Sequence, residues 1–187
     1  IIEKESKRLS SLSKQLLTLS FLNKGLDDEA IQPFDIAKQL REVVSSTEYQ
    51  WRQKEITIEL DISSSIVTGY PQLMELVWMN LVTNAIRYTD SQGIITLTTK
   101  QNQTTVIVTV EDTGIGISKE HLPHLFERFY KVDKARTRTD NSTGLGLAIV
   151  KEIIELHEGT IMVESERGEG TIFQVTVPKV FSPSQDG

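Results

Sequence analysis

Apolar side chains in the first 24 residues fall at Ile2, Leu9, Leu12, Leu16 and Leu19, in steps of seven, three, four and three. That is an a/d seam of about three heptads, flanked by Ser and Lys, and a seam so narrow predicts a helix that pairs with a partner helix. Gly25 and Asp27-Asp28 end it and open a loop. Helical spacing returns from Asp35, a plausible N-cap, to about Lys54, with Ile36, Leu40, Val43, Val44 and Tyr49 on one stripe. "EITIELDI" then alternates with period two and predicts a strand with one buried face. Glu75–Asp90 reads as one amphipathic helix through Leu76, Met79, Val82, Ala85 and Ile86. "GIITLTTKQ" and "TTVIVTVED" predict a hairpin turning at Gln101-Asn102-Gln103. A polar stretch with short helical pieces runs from Ile115 to about Thr143. A helix over Gly144–His157 and two strands, "TIMVES" and "GTIFQVTV", follow, and "FSPSQDG" reads as a frayed tail. This grouping predicts an α/β (α+β) two-layer sandwich: a mixed, largely antiparallel sheet covered by helices on one face, preceded by one long N-terminal helix.

Composition narrows the class. With 187 residues and 38% hydrophobic content, the chain can build one good-sized core plus an appendage. Zero Cys removes disulfides, thiolate metal sites and cysteine nucleophiles together, which fits a reducing, cytoplasmic setting. A net charge of −6 argues against nucleic acid as a partner. No run approaches the roughly 18–20 apolar residues of a membrane span, so no membrane contact is expected of this segment. The chain opens on Ile1 and not on Met, as a piece of a longer protein would.

Three stretches carry candidate chemistry beside the core. Asn80 and Asn84 sit one turn apart, next to the apolar stripe of their helix, although an amide left unpaired in an interior is costly. "EDTGIGIS" follows an apolar strand directly: Asp112 can accept from an exocyclic amine, and Gly114 and Gly116 permit close backbone approach, though D-T-G is also ordinary turn chemistry. "STGLGLAIVKEIIELH" places Gly144 and Gly146 where a loop becomes a helix, a ready anion site. It is neither a dinucleotide fingerprint, since Ile149 occupies the third glycine's place, nor a Walker loop. Between the glycine stretches, "LFERFYKVDKARTR" sets Phe126, Phe129 and Tyr130 among Arg128, Lys131, Lys134, Arg136 and Arg138. It reads either as a short anchored helix with a solvated basic face or as a lid over phosphates.

In order, Asn80-x-x-x-Asn84 with "NAIRYT", "DTGIG", "LFERFY", "TGLGLAIVK" and "ERGEGT" resemble the N, G1, F, G2 and G3 boxes of sensor histidine kinases. These belong to the superfamily that also holds gyrase, the Hsp90 chaperones and the mismatch-repair ATPases. The resemblance covers roughly residues 35–178. It implies a catalytic ATP-binding domain over 35–180, joined by a linker (26–34) to the second helix of a dimerisation hairpin (1–25), with a tail at 181–187. It further implies ATP and Mg²⁺ as cofactors, with the Asn84 side-chain oxygen serving the metal. Arg87, where the family usually has Lys, and Tyr88 would lie near the phosphates. Asp112 would recognise the adenine amino group with Thr171 beside it, and Gly114, Gly116 and Ile117 would pass close to the base. Tyr130 and Lys131 would reach the sugar and phosphates from the lid. Thr143, Gly144, Leu145, Gly146 and Leu147 would present N–H groups to the phosphates. Asn80 stands where the ATP-hydrolysing cousins carry a glutamate base; an amide cannot take a proton, so water would be poorly activated. Asn80, Asn84 and Arg87 are therefore the residues expected at the chemistry.

The chain departs from the family pattern at Asn141-Ser142, where two glycines are common, at Tyr70, where an Asp often precedes the asparagine helix, and at Glu158, where Gly often follows the histidine. The phosphoacceptor H-box is absent: His121, His124 and His157 all lack its context, and His157 reads as a helix cap. The expected activity is transfer of the γ-phosphoryl group to a His on a hairpin of the same or a partner subunit, for relay to an Asp of a response-regulator receiver domain. The segment alone would not phosphorylate itself. The full-length protein would be a homodimer anchored in the cell membrane. A serine kinase of the anti-sigma-factor type and a nucleotide-binding interaction module without transfer are the alternatives.

Overall fold

The computed structural model describes residues 30–132 and 143–181, together with Ser13, Thr18 and Ser20. The rest of the expected hairpin helix, linker residues 26–29, Lys134, Arg136, Arg138, Asn141-Ser142 and residues 182–187 lie outside the described residues. The end of the expected linker is a strand, β1 (Gln32–Asp35), which pairs antiparallel with β3 (Ile66–Gly69). Neither strand has a periodic signal of its own.

Helix α1 (Ile36–Ser46) starts where expected. The Asp35 carboxylate accepts from Ala37 N at 3.0 Å and from Ser65 N at 2.9 Å, with Ser64 Oγ at 2.9 Å, so the cap also ties α1 to the turn before β3. Burial alone would raise this carboxyl, but these bonds hold it below its ordinary value. The single helix expected to Lys54 is two. Thr47 Oγ1 donates back to the Val43 and Val44 carbonyls, and Trp51 Nε1 also takes the Val44 carbonyl, which ends α1 and starts α2 (Glu48–Gln53).

A five-stranded sheet runs in the order β2 (Thr57–Asp61), β4 (Ile94–Gln101), β5 (Thr105–Asp112), β7 (Gly170–Pro178), β6 (Thr160–Glu166); β2 and β4 are parallel and the other pairs antiparallel. Ile95 and Leu97, Val106, Val108 and Val110, and Phe173, Val175 and Val177 turn to one face and are buried there, as alternation predicts. The buried face expected of the β2 stretch is found in part: Ile56 is in the core and Ile58 and Ile62 pack against it, whereas Leu60 is 44% exposed on this edge strand.

Helices α1, α3 (Pro71–Tyr88) and α4 (Gly146–Leu156) cover the buried face. The inward arc of α3 is Met74, Val77, Trp78, Leu81, Val82, Ala85 and Ile86, whereas the expected Leu76 and Met79 lie at its margin, half-buried. Packing between the sheet and two helices rotates the arc toward Trp78, whose Nε1 reaches Gln39 Oε1 at 3.0 Å while Gln39 Nε2 holds the Pro71 carbonyl at 2.7 Å. Phe181, the first residue of the expected frayed tail, is buried against Tyr70 and His157. No helix among the described residues is long and apolar enough to cross a membrane.

Candidate functional site

The carboxyl-terminal half of α3, the loop after β5 and the start of α4 enclose a cleft of about 720 Å³. Asn80, Asn84, Arg87 and Tyr88 line it from α3; Asp112, Gly116 and Ile117 from β5 and its loop. Tyr130 and Lys131 follow the aromatic stretch, Thr143, Gly144, Gly146 and Leu147 open α4, and Thr171 comes from β7. Two of the expected residues do not line it. Leu145 turns its side chain into the core, fully buried. Gly114 lies beneath the wall, where a Cβ would come within 2.4 Å of the Tyr88 carbonyl oxygen.

At one end sits Asp112, 6% exposed, directly opposite Thr171 in the β5–β7 ladder. Its Oδ1 accepts from Gly114 N at 2.9 Å, and the Thr171 backbone N–H also donates to the carboxylate. Burial nevertheless pushes the carboxyl up to about 6, because these two bonds do not replace the lost water and neighbouring Glu111 adds repulsion. A carboxylate has about four acceptor positions, so capacity remains for a donor in the cleft. Gly116, at φ 65°, passes so close to β6 that a Cβ would sit 1.9 Å from the Glu166 carbonyl oxygen, which leaves glycine as the residue for this turn.

At the other end the two amides differ. Asn80 Nδ2 donates to the Leu76 carbonyl at 2.8 Å, which leaves its oxygen facing α4. A Cβ on Gly146 would come within 2.6 Å of that oxygen. Half-buried Asn84 has no side-chain hydrogen bond among the described residues. The first turn of α4 has N–H groups without intrahelical acceptors and carries the positive end of the helix dipole. No cluster of three acidic, His or Cys side chains that could hold a metal occurs among the described residues. A cation here would thus depend on amide oxygens and on oxygens brought by a ligand, a donor set that suits Mg²⁺.

The aromatic stretch is wired to the glycine stretch. Phe129 N donates to the Gly144 carbonyl at 2.9 Å, and a Cβ on Gly144 (φ 74°) would press to 2.9 Å of the Phe129 backbone. Leu125 and Phe126 anchor the stretch to the core, the Phe126 ring meeting Phe173 edge-on at 6.5 Å. Phe129 itself is 61% exposed. The Tyr130 hydroxyl shares a 2.7 Å hydrogen bond with His121 Nδ1, and His124 lies against its ring. His157 is far from this cleft: it is buried where α4 ends.

Sequence reasoning missed one wall entirely. Tyr49, Gln50, Gln53 and Lys54 line the cleft from α2 and its end. It also missed Ser165, whose Oγ takes Ile117 N at 2.8 Å, bonds Thr171 Oγ1 at 2.9 Å and donates to the Gly170 carbonyl at 2.7 Å. Neither has a local signal: a lysine after a short helix and a serine in a strand are commonplace.

Residues 69–180 match the model of the histidine kinase-, DNA gyrase B- and HSP90-like ATPases. The chain is similar to the heme sensor protein HssS of Staphylococcus saprophyticus, 37% identical over 92% of this chain and 37% of HssS. It spans well under half the length of the curated relatives it matches. Among solved structures, full-length ShkA in complex with AMPPNP superposes with a TM-score of 0.80 at 27% identity, over 96% of this chain and 38% of ShkA. Histidine kinase ThkA in complex with response regulator protein TrrA gives 0.75 at 28% identity, over 99% of this chain and 51% of that one.

Proposed function

The chain belongs to the family of histidine kinase-, DNA gyrase B- and HSP90-like ATPases, and from that premise we propose that it is the catalytic part of a sensor histidine kinase. It binds Mg²⁺-ATP in the cleft and passes the γ-phosphoryl group to a histidine on a helical hairpin outside the described residues. The observation that carries this reading is the polarity of the cleft, with a buried acceptor, Asp112, at one end and, at the other, two amides lining it beside a helix start.

Asp112 accepts from the adenine amino group, with Thr171 and the Gly114–Ile117 backbone around the base. The N–H groups of Gly144, Gly146 and Leu147 and the cations Arg87 and Lys131 take the phosphates, with Tyr88 and Tyr130 on the flanks. The Asn84 oxygen, with phosphate oxygens, would hold Mg²⁺; the ion supplies charge neutralisation between the phosphates. Asn80, with its Nδ2 held by Leu76 and no proton-accepting nitrogen, does not activate water, which spares the nucleotide for transfer. Transfer is then positioning: an imidazole nitrogen attacks the γ-phosphorus in line as the bond to ADP breaks. None of the described histidines can do this. His157 is buried, and His121 and His124 are engaged with Tyr130 and Glu127.

ThkA's complex with a response regulator supports a receiver-domain Asp as the next acceptor, and ShkA's AMPPNP complex supports the nucleotide. These relatives do not favour the alternatives, a serine kinase of the anti-sigma-factor type and a nucleotide-binding module without transfer. The domain division at 1–25, 26–34 and 35–180, the dimer, and a membrane anchor in the full-length protein with this domain in the cytoplasm belong to the same proposal. The test is incubation with γ-labelled ATP. The chain alone stays unlabelled, and a separately added H-box hairpin acquires acid-labile label; label on the chain itself, or none on the hairpin, refutes the assignment.

A further inference from the structure

Lys54 follows α2, and its side chain crosses to the carboxyl end of α3. There Nζ donates to the carbonyl oxygens of Ile86 at 2.8 Å, Arg87 at 2.9 Å and Thr89 at 2.9 Å. The last carbonyls of a helix have no intrahelical partners, and the negative end of the dipole favours a cation. The carbonyl skipped in this series, that of Tyr88, accepts from Ile115 N at 3.1 Å. Four consecutive carbonyls, 86 to 89, are thus each claimed from outside α3. Lys54 is itself held by its backbone, since Gln92 N donates to its carbonyl at 3.0 Å.

This short stretch bears directly on the cleft. Arg87 and Tyr88 line it from the same turn, and Ile115 opens the loop whose Gly116 and Ile117 pass beside Asp112. Fraying the turn would move side chains on one wall and, through the Tyr88–Ile115 bond, the loop on the other. We propose that Lys54 is a positioning residue for the base end of the cleft: its ammonium locks the last turn of α3, and through the Tyr88–Ile115 bond the Ile115–Ile117 loop, in the arrangement that receives the base. This rests on the nucleotide reading above. Methionine can fill the lysine stem's space but donates nothing.

The experiment measures the affinity of the wild type and Lys54→Met for AMP, ADP and ATP, beside the thermal midpoint and the exchange rates of the 87–90 and 115–117 amides. Positioning of the base end predicts a loss of roughly tenfold, the scale on which groups that orient ligand contacts act. That loss is already present with AMP, whatever Arg87 on the same turn adds for ADP and ATP, and comes with faster exchange in both segments. Unchanged affinity with a lowered midpoint would reduce Lys54 to a helix cap and overturn the proposal. A loss that is absent with AMP and appears only as phosphates are added would also overturn it, because Lys54 would then act on the phosphates and not on the base. If Lys54→Met does not fold, Lys54→Gln is read by the same criteria. A wild type that binds none of the three nucleotides refutes the nucleotide reading itself, and this inference with it. Normal wild-type binding with an indifferent Lys54→Met refutes this inference alone.

Discussion

Two buried ionisable side chains lie toward opposite ends of α3, and they are buried for different reasons. His157 meets the start of the helix. Its Nε2 accepts from Tyr70 N at 3.0 Å, which makes Nδ1 the protonated nitrogen that donates to the Ile153 carbonyl at 2.7 Å. Tyr70 and Phe181 close over the ring, and Gly69 leaves room for it, since a Cβ there would come within 2.6 Å. Every hydrogen-bonding position of the neutral imidazole is used. Asp112, past the other end, is as deeply buried but has acceptor capacity left over, and that capacity faces a cleft. Burial shifts both groups toward neutrality, His157 downward and Asp112 up to about 6. A saturated buried polar group holds the fold together; an unsaturated one facing a cleft costs stability until a ligand meets it.

The largest expected effect is at Asp112. Asp112→Asn lowers nucleotide affinity more than about 100-fold by calorimetry, since an amide oriented for the base competes with its own two backbone donors. The same change stabilises the nucleotide-free domain at neutral pH. An acid raised from 3.8 to about 6 favours the folded state below pH 4 and loses that contribution as pH rises through 6. The full shift corresponds to about 3 kcal/mol, and the substitution recovers about 1–3 kcal/mol of it at pH 7. The gain vanishes below pH 4 in urea titrations. A variant that loses binding without that gain would break the contrast between the two ends.

His157→Phe keeps an aromatic ring but removes the imidazole acceptor of the Tyr70 N–H and leaves the Ile153 carbonyl only the backbone N–H of residue 157. It costs about 2–4 kcal/mol in chemical denaturation and leaves the affinity of the folded protein within about threefold. Because the folded form of His157 resists protonation, its contribution is full above pH 6.5 and declines as pH falls below that value, a decline the Phe variant lacks. Gly146→Ala sharpens the cleft end. Its backbone is helical, so alanine is not strained there, yet the new methyl displaces the Asn80 oxygen. Affinity for Mg²⁺-ATP falls about tenfold, roughly 1.4 kcal/mol, while the denaturation midpoint holds or rises slightly. The smallest effect is at the saturated end. Glu158 stands at φ 56°, so Glu158→Gly raises stability by about 0.5–1 kcal/mol without touching binding.

The positive φ of Glu158 also explains why glycine is usual at that position, a departure visible in the chain before its backbone was. Much else was legible in the same way. Alternation in β4, β5 and β7 marked the inward residues because those strands are central and paired on both sides. The order of the asparagine, aspartate and glycine stretches was enough for the family, and fourteen of the sixteen expected site residues line one cleft. Local chemistry decides these features: a period of two, a glycine that a Cβ would block, a carboxylate at a strand end.

What only the tertiary structure decided depends on neighbours distant in sequence. The inward arc of α3 includes Trp78 because Gln39 of α1 meets its indole. The alternation of the β2 stretch turns Ile56, Ile58 and Ile62 to the core but leaves Leu60 exposed at the edge of the sheet. Thr47 splits a continuous helical pattern because its hydroxyl and the Trp51 indole compete for the carbonyls that would continue it. Phe181 and His157 have opposite readings in the chain, a frayed tail and a helix cap, yet they pack on one another. Lys54 has no pattern of its own, and it acquires a role only when α2 is laid against the end of α3, 32 residues away along the chain. Periodicity records which face of an element is apolar, whereas the partner of a single polar atom is set by where the chain returns.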